Sequence, residues 1–429
     1  MTQPPLHSIS PILPLLPPPL RLDNGAALHV IPIPSADIIR LTLMFTGGYW
    51  TQTLPLQSDF ALRLIDAGTS TMSSHTLRDR LDLYGATLAA GTSTAHSFIT
   101  LTCLKSSLTH IVPLLRDILT CPTYETSLLD IEKEEGLLIC QTNKQKASSV
   151  ADRLFHRHLL GNDHPAAIYP EEHHIMSLTR QSLLSYHAGN ILVPHSTIFA
   201  TGDIDPATID LLNTHLGTIT SSIPPTPITD IPIPTSPDRR HDSNLDIPSV
   251  QSALHLGRLM PPCTAADSPA ITLTTTILGG FFGSRLMKNI RERLGLTYGI
   301  AAYLQQMPHH AILSITTETP QEHVNLCLDE IDKELTSLAA TPVTADELYN
   351  AKNYFMGQVC RTTELSLSLS TLCMSLQAAS TNLEEMVLRN AKIQALTPED
   401  IMQCAATYFR PEDIIATAVH GAAPCHKTL

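Results

Sequence analysis

Residues 278–304 read LGGFFGSRLMKNIRERLGLTYGIAAYL: a Gly-Gly pair, a basic helical stretch, a Tyr-Gly, and then an apolar run. Part of this pattern occurs twice. Ile290-Arg-Glu-Arg-Leu-Gly-Leu-Thr-Tyr-Gly-Ile is followed by the alternating stretch Ala311-Ile-Leu-Ser-Ile-Thr-Thr-Glu, and Leu77-Arg-Asp-Arg-Leu-Asp-Leu-Tyr-Gly-Ala-Thr by Ser97-Phe-Ile-Thr-Leu-Thr-Cys-Leu. The later copy has one extra residue before its tyrosine. One ten-residue match can arise by chance. The surrounding order argues for duplication: each half opens on a β-rich strand, Ile38–Phe45 or Gln251–Leu256, and continues through helix, short helix, strands and a helical stretch.

Between the halves lies TITSSIPPTPITDIPIPTSPDRRHDSNLDIPSV, residues 218–250. Its seven prolines exclude helix and discourage a central strand, which marks it as a linker. The chain then divides into a proline-rich lead-in (1–20), an N-terminal domain (21–217), the linker and a C-terminal domain (251–429). Helical spacing of Val324, Leu326, Cys327, Ile331 and Leu335 predicts a helix over 320–339. Thr344 is the expected cap of a helix opening Ala345-Asp-Glu-Leu, and Thr397 of one opening Pro398-Glu-Asp. Hairpin strands such as 100–104 and 314–317, mixed with these helices, give an α+β class.

With 43% hydrophobic residues in 429, the chain can bury a large core. A net charge of −13 argues against nucleic acid or an anionic membrane as a partner. Nine scattered cysteines, none in a CxxC, read as reduced thiols of a cytoplasmic protein. No run of about 18 apolar residues is long enough to cross a membrane. Seven prolines in the first twenty residues, with no basic start, are not expected of a secretory signal. The twenty histidines include close pairs but no HxxxH on a clear helix, so no structural zinc is expected. Gly279-Gly280 with Gly283 lacks the phosphate-loop patterns and reads as a place of close backbone approach.

The motif order resembles that of the M16 metallopeptidases, the insulinase and mitochondrial-processing-peptidase family. Leu22-Asp-Asn-Gly-Ala-Ala-Leu-His-Val is similar to its opening strand. Phe45-Thr-Gly-Gly resembles the strand end before its active-site helix, and Thr201-Gly-Asp-Ile-Asp the close of its first domain. Pro342-Val-Thr-Ala-Asp-Glu-Leu-Tyr-Asn-Ala-Lys resembles a later helix, and 278–304 the core of its C-terminal domain. The resemblance implies two similar domains of antiparallel sheet packed with helices.

It also singles out SDFALRLIDAGT, residues 58–69. By itself this stretch predicts a short amphipathic helix, capped by Ser58 or Asp59 and stopped by Gly68, with Asp59 and Arg63 one turn apart. Active members of the family carry H-x-x-E-H there: two histidines for Zn²⁺ and a glutamate that activates the bound water. Counting back from Gly68-Thr69 puts those positions on Asp59, Leu62 and Arg63. Arg does not deprotonate and Leu62 accepts no proton. The third ligand position of the family falls on Ile139, Cys140 or Gln141, while Glu132, Glu134 and Glu135 read as a solvated face. The resemblance therefore implies no zinc or other cofactor and no peptidase activity in this chain alone.

A second feature is kept. The family's substrate-binding domain has an Arg and a Tyr seven apart, matched here by Arg291 and Tyr298. Tyr298 could donate to a developing oxyanion, and Arg291 could bind a carbonyl or orient the tyrosine. A tyrosine before glycine at a strand start also serves plain packing, and Tyr84 holds a similar place. Such peptidases need four domains around one chamber, so the resemblance implies a partner. One reading is a non-catalytic subunit paired with an H-x-x-E-H paralogue that carries the zinc and cuts peptides. The other is a non-enzymatic peptide-binding or structural scaffold, for instance as a homodimer.

Overall fold

The computed structural model describes residues 16–234, 238–248 and 251–422, so most of the expected lead-in lies outside it. Strands β1 (Leu20–Arg21), β2 (Ala27–Pro32), β3 (Ile38–Thr46), β4 (Thr87–Thr92), β5 (His96–Leu104) and β6 (Thr197–Gly202) form one sheet in the order β1-β2-β6-β3-β5-β4. Strands β7 (Arg240–Pro248), β8 (Gln251–Met260), β9 (Ile300–Gln306), β10 (Ala311–Pro320) and β11 (Ile415–Ala422) form the other, in the order β7-β11-β8-β10-β9. With β1 set aside, the two orders correspond strand for strand. In each sheet the pair at one end is parallel (β2/β6, β7/β11) and the remaining neighbours are antiparallel. The fold is α+β, and its two halves share one topology.

Strand β7 changes one expected boundary. It lies inside the 218–250 stretch read as linker, so the second unit begins near residue 240 and not at 251. Proline density discouraged a central strand there, and β7 sits at the sheet's edge, where a strand tolerates proline. Upstream, residues 218–234 run without regular structure along the fold. The Trp50 indole donates to the Thr229 carbonyl at 2.9 Å, and Ile233 packs against the cluster around Phe155.

Each sheet packs one face on the helices of its own half. The alternating buried positions of β3 and β5 (Ile39, Leu41 and Leu43; Ile99, Leu101 and Cys103) point into the first core. Ile315, Leu313 and Leu256 do the same in the second. The opposite faces are covered by exchange. Helix Ala147–Leu160, from the first half, lays Phe155, Leu159 and Leu160 on the second sheet beside Ile312. Helix Ser366–Ala378, from the second, sets Leu369 against Ile31, Met44 and Phe199 of the first sheet. These helices hold equivalent places in the two halves, so the exchange is reciprocal.

Local signals fix many helix ends. Thr344 accepts from the Glu347 amide at 3.2 Å, and Thr397 forms a reciprocal capping box with Asp400. The expected start at Pro320 moves: β10 runs through Pro320, and the helix spans Val324–Ala340. The turn 276–280 approaches β9 so closely that a Cβ on Gly279 would lie 2.6 Å from the Ala302 nitrogen. Glycine there is a packing requirement.

Candidate functional site

The helix in the 58–69 stretch spans Gln57–Arg63. Neither Ser58 nor Asp59 caps it, because both lie inside it. Its first residues are held from upstream: Gln52 Oε1 accepts from the Ser58 amide at 3.4 Å and the Ser58 hydroxyl at 3.0 Å. The helix also ends before Gly68, whose φ of +107° belongs to the turn beyond. Phe60, Ala61 and Leu62 face the core; Leu62 is 1% exposed.

Asp59 and Arg63 point the other way and pair, Nε to Oδ2 at 3.0 Å. The second Arg63 partner is Glu132 of helix Thr126–Lys144, Nη1 to Oε1 at 3.0 Å. This corrects one expectation: Glu134 and Glu135 are exposed, but Glu132 turns in and closes on the guanidinium. Burial works against the Arg63 charge, yet the two carboxylates hold its pKa above the usual value. Of the three positions matched to a third ligand, Ile139 and Cys140 line the cavity beside Asp59 and Arg63, and Gln141 is exposed. A guanidinium has no lone pair for a metal, and both nearby carboxylates are engaged by it. The residues at this place do not fit the zinc centre of an active M16 peptidase, and Leu62 supplies no base.

The second pair is brought together. Arg291 lies on the π-helical turns Met287–Arg293 and donates from Nε to the Tyr298 carbonyl at 2.9 Å. Its guanidinium covers the Phe282 ring at 4.7 Å and lies 5.8 Å from the centre of the Tyr298 ring. The turn before β9 is pinned by Thr297, whose hydroxyl donates to the Glu318 carbonyl at 2.7 Å and accepts from Thr317 at 2.8 Å. Tyr298 therefore stands out from a fixed backbone, 89% exposed. It borders a groove of about 510 Å³ between the start of β9 and residues Ser148 and Asp152 of helix Ala147–Leu160. Its counterpart Tyr84 lies flat on His110, ring centres 4.7 Å apart.

One cluster is invisible to sequence spacing. At the seam between the halves, Asp152 accepts from Tyr169 and lies 3.3 Å from His255 Nδ1. His255 Nε2 meets Ser314 at 3.1 Å, and His156 reaches Gln305 at 3.3 Å. His255 is 2% exposed and stacked on Phe155, and burial lowers its pKa. Burial opposes the charge on Asp152, but its hydrogen bonds to His255 and Tyr169 hold the carboxyl below its ordinary value. The only local signal was Asp152 and His156 one helical turn apart; Tyr169 joins them from the same half, and His255 and Gln305 from the other.

Comparison with known proteins agrees with this architecture. Residues 177–355, which include Arg291 and Tyr298, match the family described as peptidase M16 inactive domain. An uncharacterized zinc protease of Rickettsia felis is 29% identical over 147 residues, 34% of this chain and 32% of that protein, so this match spans about a third of the relative. One of Mycobacterium leprae is 23% identical over 70% of this chain and 68% of its own. The crystal structure of a peptidase M16 inactive domain from Pseudomonas fluorescens superposes with a TM-score of 0.83 at 20% identity, covering 95% of this chain and 98% of that one. Residues 177–355 thus match the peptidase M16 family, and almost the whole chain shares the fold of a solved M16 inactive domain.

Proposed function

We propose that this chain is the non-catalytic subunit of a two-chain M16 zinc peptidase. It supplies half of the peptide chamber and the Arg291/Tyr298 pair to a partner that carries H-x-x-E-H and the metal. The observation that carries this reading is the contrast between the sites. Where an active chain would hold zinc, Arg63 is closed between two carboxylates, whereas Tyr298 stands free over a groove. The groove follows the start of β9, an edge strand whose outer side pairs with no other strand among the described residues. An extended peptide can add to such an edge through backbone hydrogen bonds. Tyr298 then donates from its hydroxyl to the carbonyl oxygen under attack at the partner's metal, and Arg291 braces the tyrosine's backbone.

The test is reconstitution with an H-x-x-E-H paralogue from the same source. The mixture should form a 1:1 complex by sedimentation and cut a quenched peptide that neither chain cuts alone. Tyr298→Phe keeps the ring and removes the hydroxyl. It should lower kcat by roughly 10²–10³ while leaving assembly unchanged, the cost of removing one oxyanion donor. Full turnover with Tyr298→Phe, or no complex at all, refutes the proposal.

A further inference from the structure

A cavity of about 310 Å³ opens beside Arg63, between the Gln57–Arg63, Thr126–Lys144 and Ala147–Leu160 helices. Its walls are largely apolar, with Leu56, Phe60, Ile139 and Ile175 among them. The volume is that of a small-ligand site. The charged groups on its lining are what make it specific. Arg63 is held by Asp59 and Glu132, each at 3.0 Å, and Lys144 by Glu172 at 3.1 Å. The Asp152 carboxylate is taken up by Tyr169 and His255. The remaining charge is Arg153. It has no ion pair or hydrogen bond to any described residue, and its Nε is buried without a partner.

A half-buried guanidinium with an unsatisfied N–H, set in an apolar pocket whose other charges are already paired, lacks an anion. Its planar fork matches a carboxylate or a phosphate. The neighbouring Asp152 disfavours a doubly charged ligand such as phosphate and leaves room for a single negative charge. The apolar walls call for a hydrocarbon group attached to that charge. We propose that this cavity binds a carboxylate carried next to an apolar side chain, the chemistry of a peptide's free C-terminal residue, with Arg153 pairing the carboxylate and Phe60 and Ile139 enclosing the side chain. The site belongs to this chain alone and does not depend on the partner proposed above.

Calorimetric titration of the full chain tests it with three probes: acetyl-tetra-alanyl-leucine as the free acid, the same peptide as its C-terminal amide, and N-acetyl-leucine. The free acid should bind at least about tenfold more tightly than the amide, since a charge-assisted pair is lost in the amide. Arg153→Gln should bring the acid down to the level of the amide, and Arg153→Lys should keep part of the difference. Unchanged melting of either variant separates loss of binding from loss of fold. N-acetyl-leucine binding as tightly as the peptide would assign the site to small apolar acids; markedly weaker binding would assign it to chain ends. Equal affinity for acid and amide, no binding of either, or discrimination that survives Arg153→Gln would overturn the proposal.

Discussion

Tyr84 and Tyr298 occupy the same step of the same topology, the turn before the edge strand of each sheet, and they are used oppositely. Tyr84 is laid on His110 at 4.7 Å. Tyr298 is 89% exposed, with its carbonyl held by Arg291 and the preceding Thr297 locked by two hydroxyl bonds. The helices before them differ as well. In the first half the regular α-helix Ser74–Leu83 ends directly on Tyr84; in the second, π-helical turns over Met287–Arg293 carry Arg291, whose guanidinium lies 5.8 Å from the Tyr298 ring centre. Duplicated backbones thus hold one stacked tyrosine and one exposed tyrosine. What separates them is a few side chains, since the strand order is common to both.

The strongest way to break the comparison is to attack what both halves share, the exchanged helices. Phe155 is fully buried against the second sheet although it belongs to the first half. Phe155→Ala should cost about 3–5 kcal/mol in urea unfolding. Its equivalent, Leu369→Ala, should cost about 2–5 kcal/mol. If both leave the midpoint unchanged, the two units do not stabilise one another through these helices.

The next test returns to the tyrosines. Against the loss expected for Tyr298→Phe, about 2.7–4 kcal/mol in the activation barrier of the reconstituted enzyme, Tyr84→Phe should be nearly neutral. The reverse result would place the working site in the wrong half. Silence from both would leave Tyr298 without a part in turnover.

Acid separates the halves in another way. His96, His158, His164 and His187, all in the first half, are pushed down to about 4, chiefly by burial. Their folded pKa lies below the unfolded value, so the unfolded chain binds more protons between pH 6.5 and about 4. Stability is full above pH 6.5 and falls as pH drops through this window, by up to ~1.4 kcal/mol per pH unit for each histidine. His187 sits on the Arg180–Asn190 helix, edge-on to Tyr124. His187→Gln should flatten the pH dependence of the melting temperature over this range. An unchanged slope would count against its burial as a neutral ring.

The smallest effect is expected at Arg63. Its side chain is 41% exposed, and exposed ion pairs contribute little. Arg63→Ala should change stability by no more than about 1 kcal/mol, measured by denaturant midpoint. A larger loss would mean that the guanidinium holds the first half's helices together and does more than fill a vacated polar face.

By itself the sequence pointed to the duplication, the α+β class and the resemblance to the M16 peptidases. These rest on local and periodic signals: the Tyr-Gly turns, the alternation in β5 and β10, and the caps at Thr344 and Thr397. It also put Asp59 and Arg63 on one helix face, because spacing along a helix fixes which side chains lie together; that a zinc motif would stand there is what the family resemblance implies. Contacts between distant segments were decided only by tertiary structure. Nothing near Glu132 marks it from Glu134 and Glu135; packing of two helices turns that one acid toward Arg63. The 240–248 stretch becomes a strand because β11, far along the chain, offers it an edge. The seam of Asp152, Tyr169 and His255, and the unpaired Arg153 beside it, exist because a helix from one half lies on the sheet of the other. A helix's own periodicity tells which face is apolar, and only the assembled fold tells which surface that face will meet.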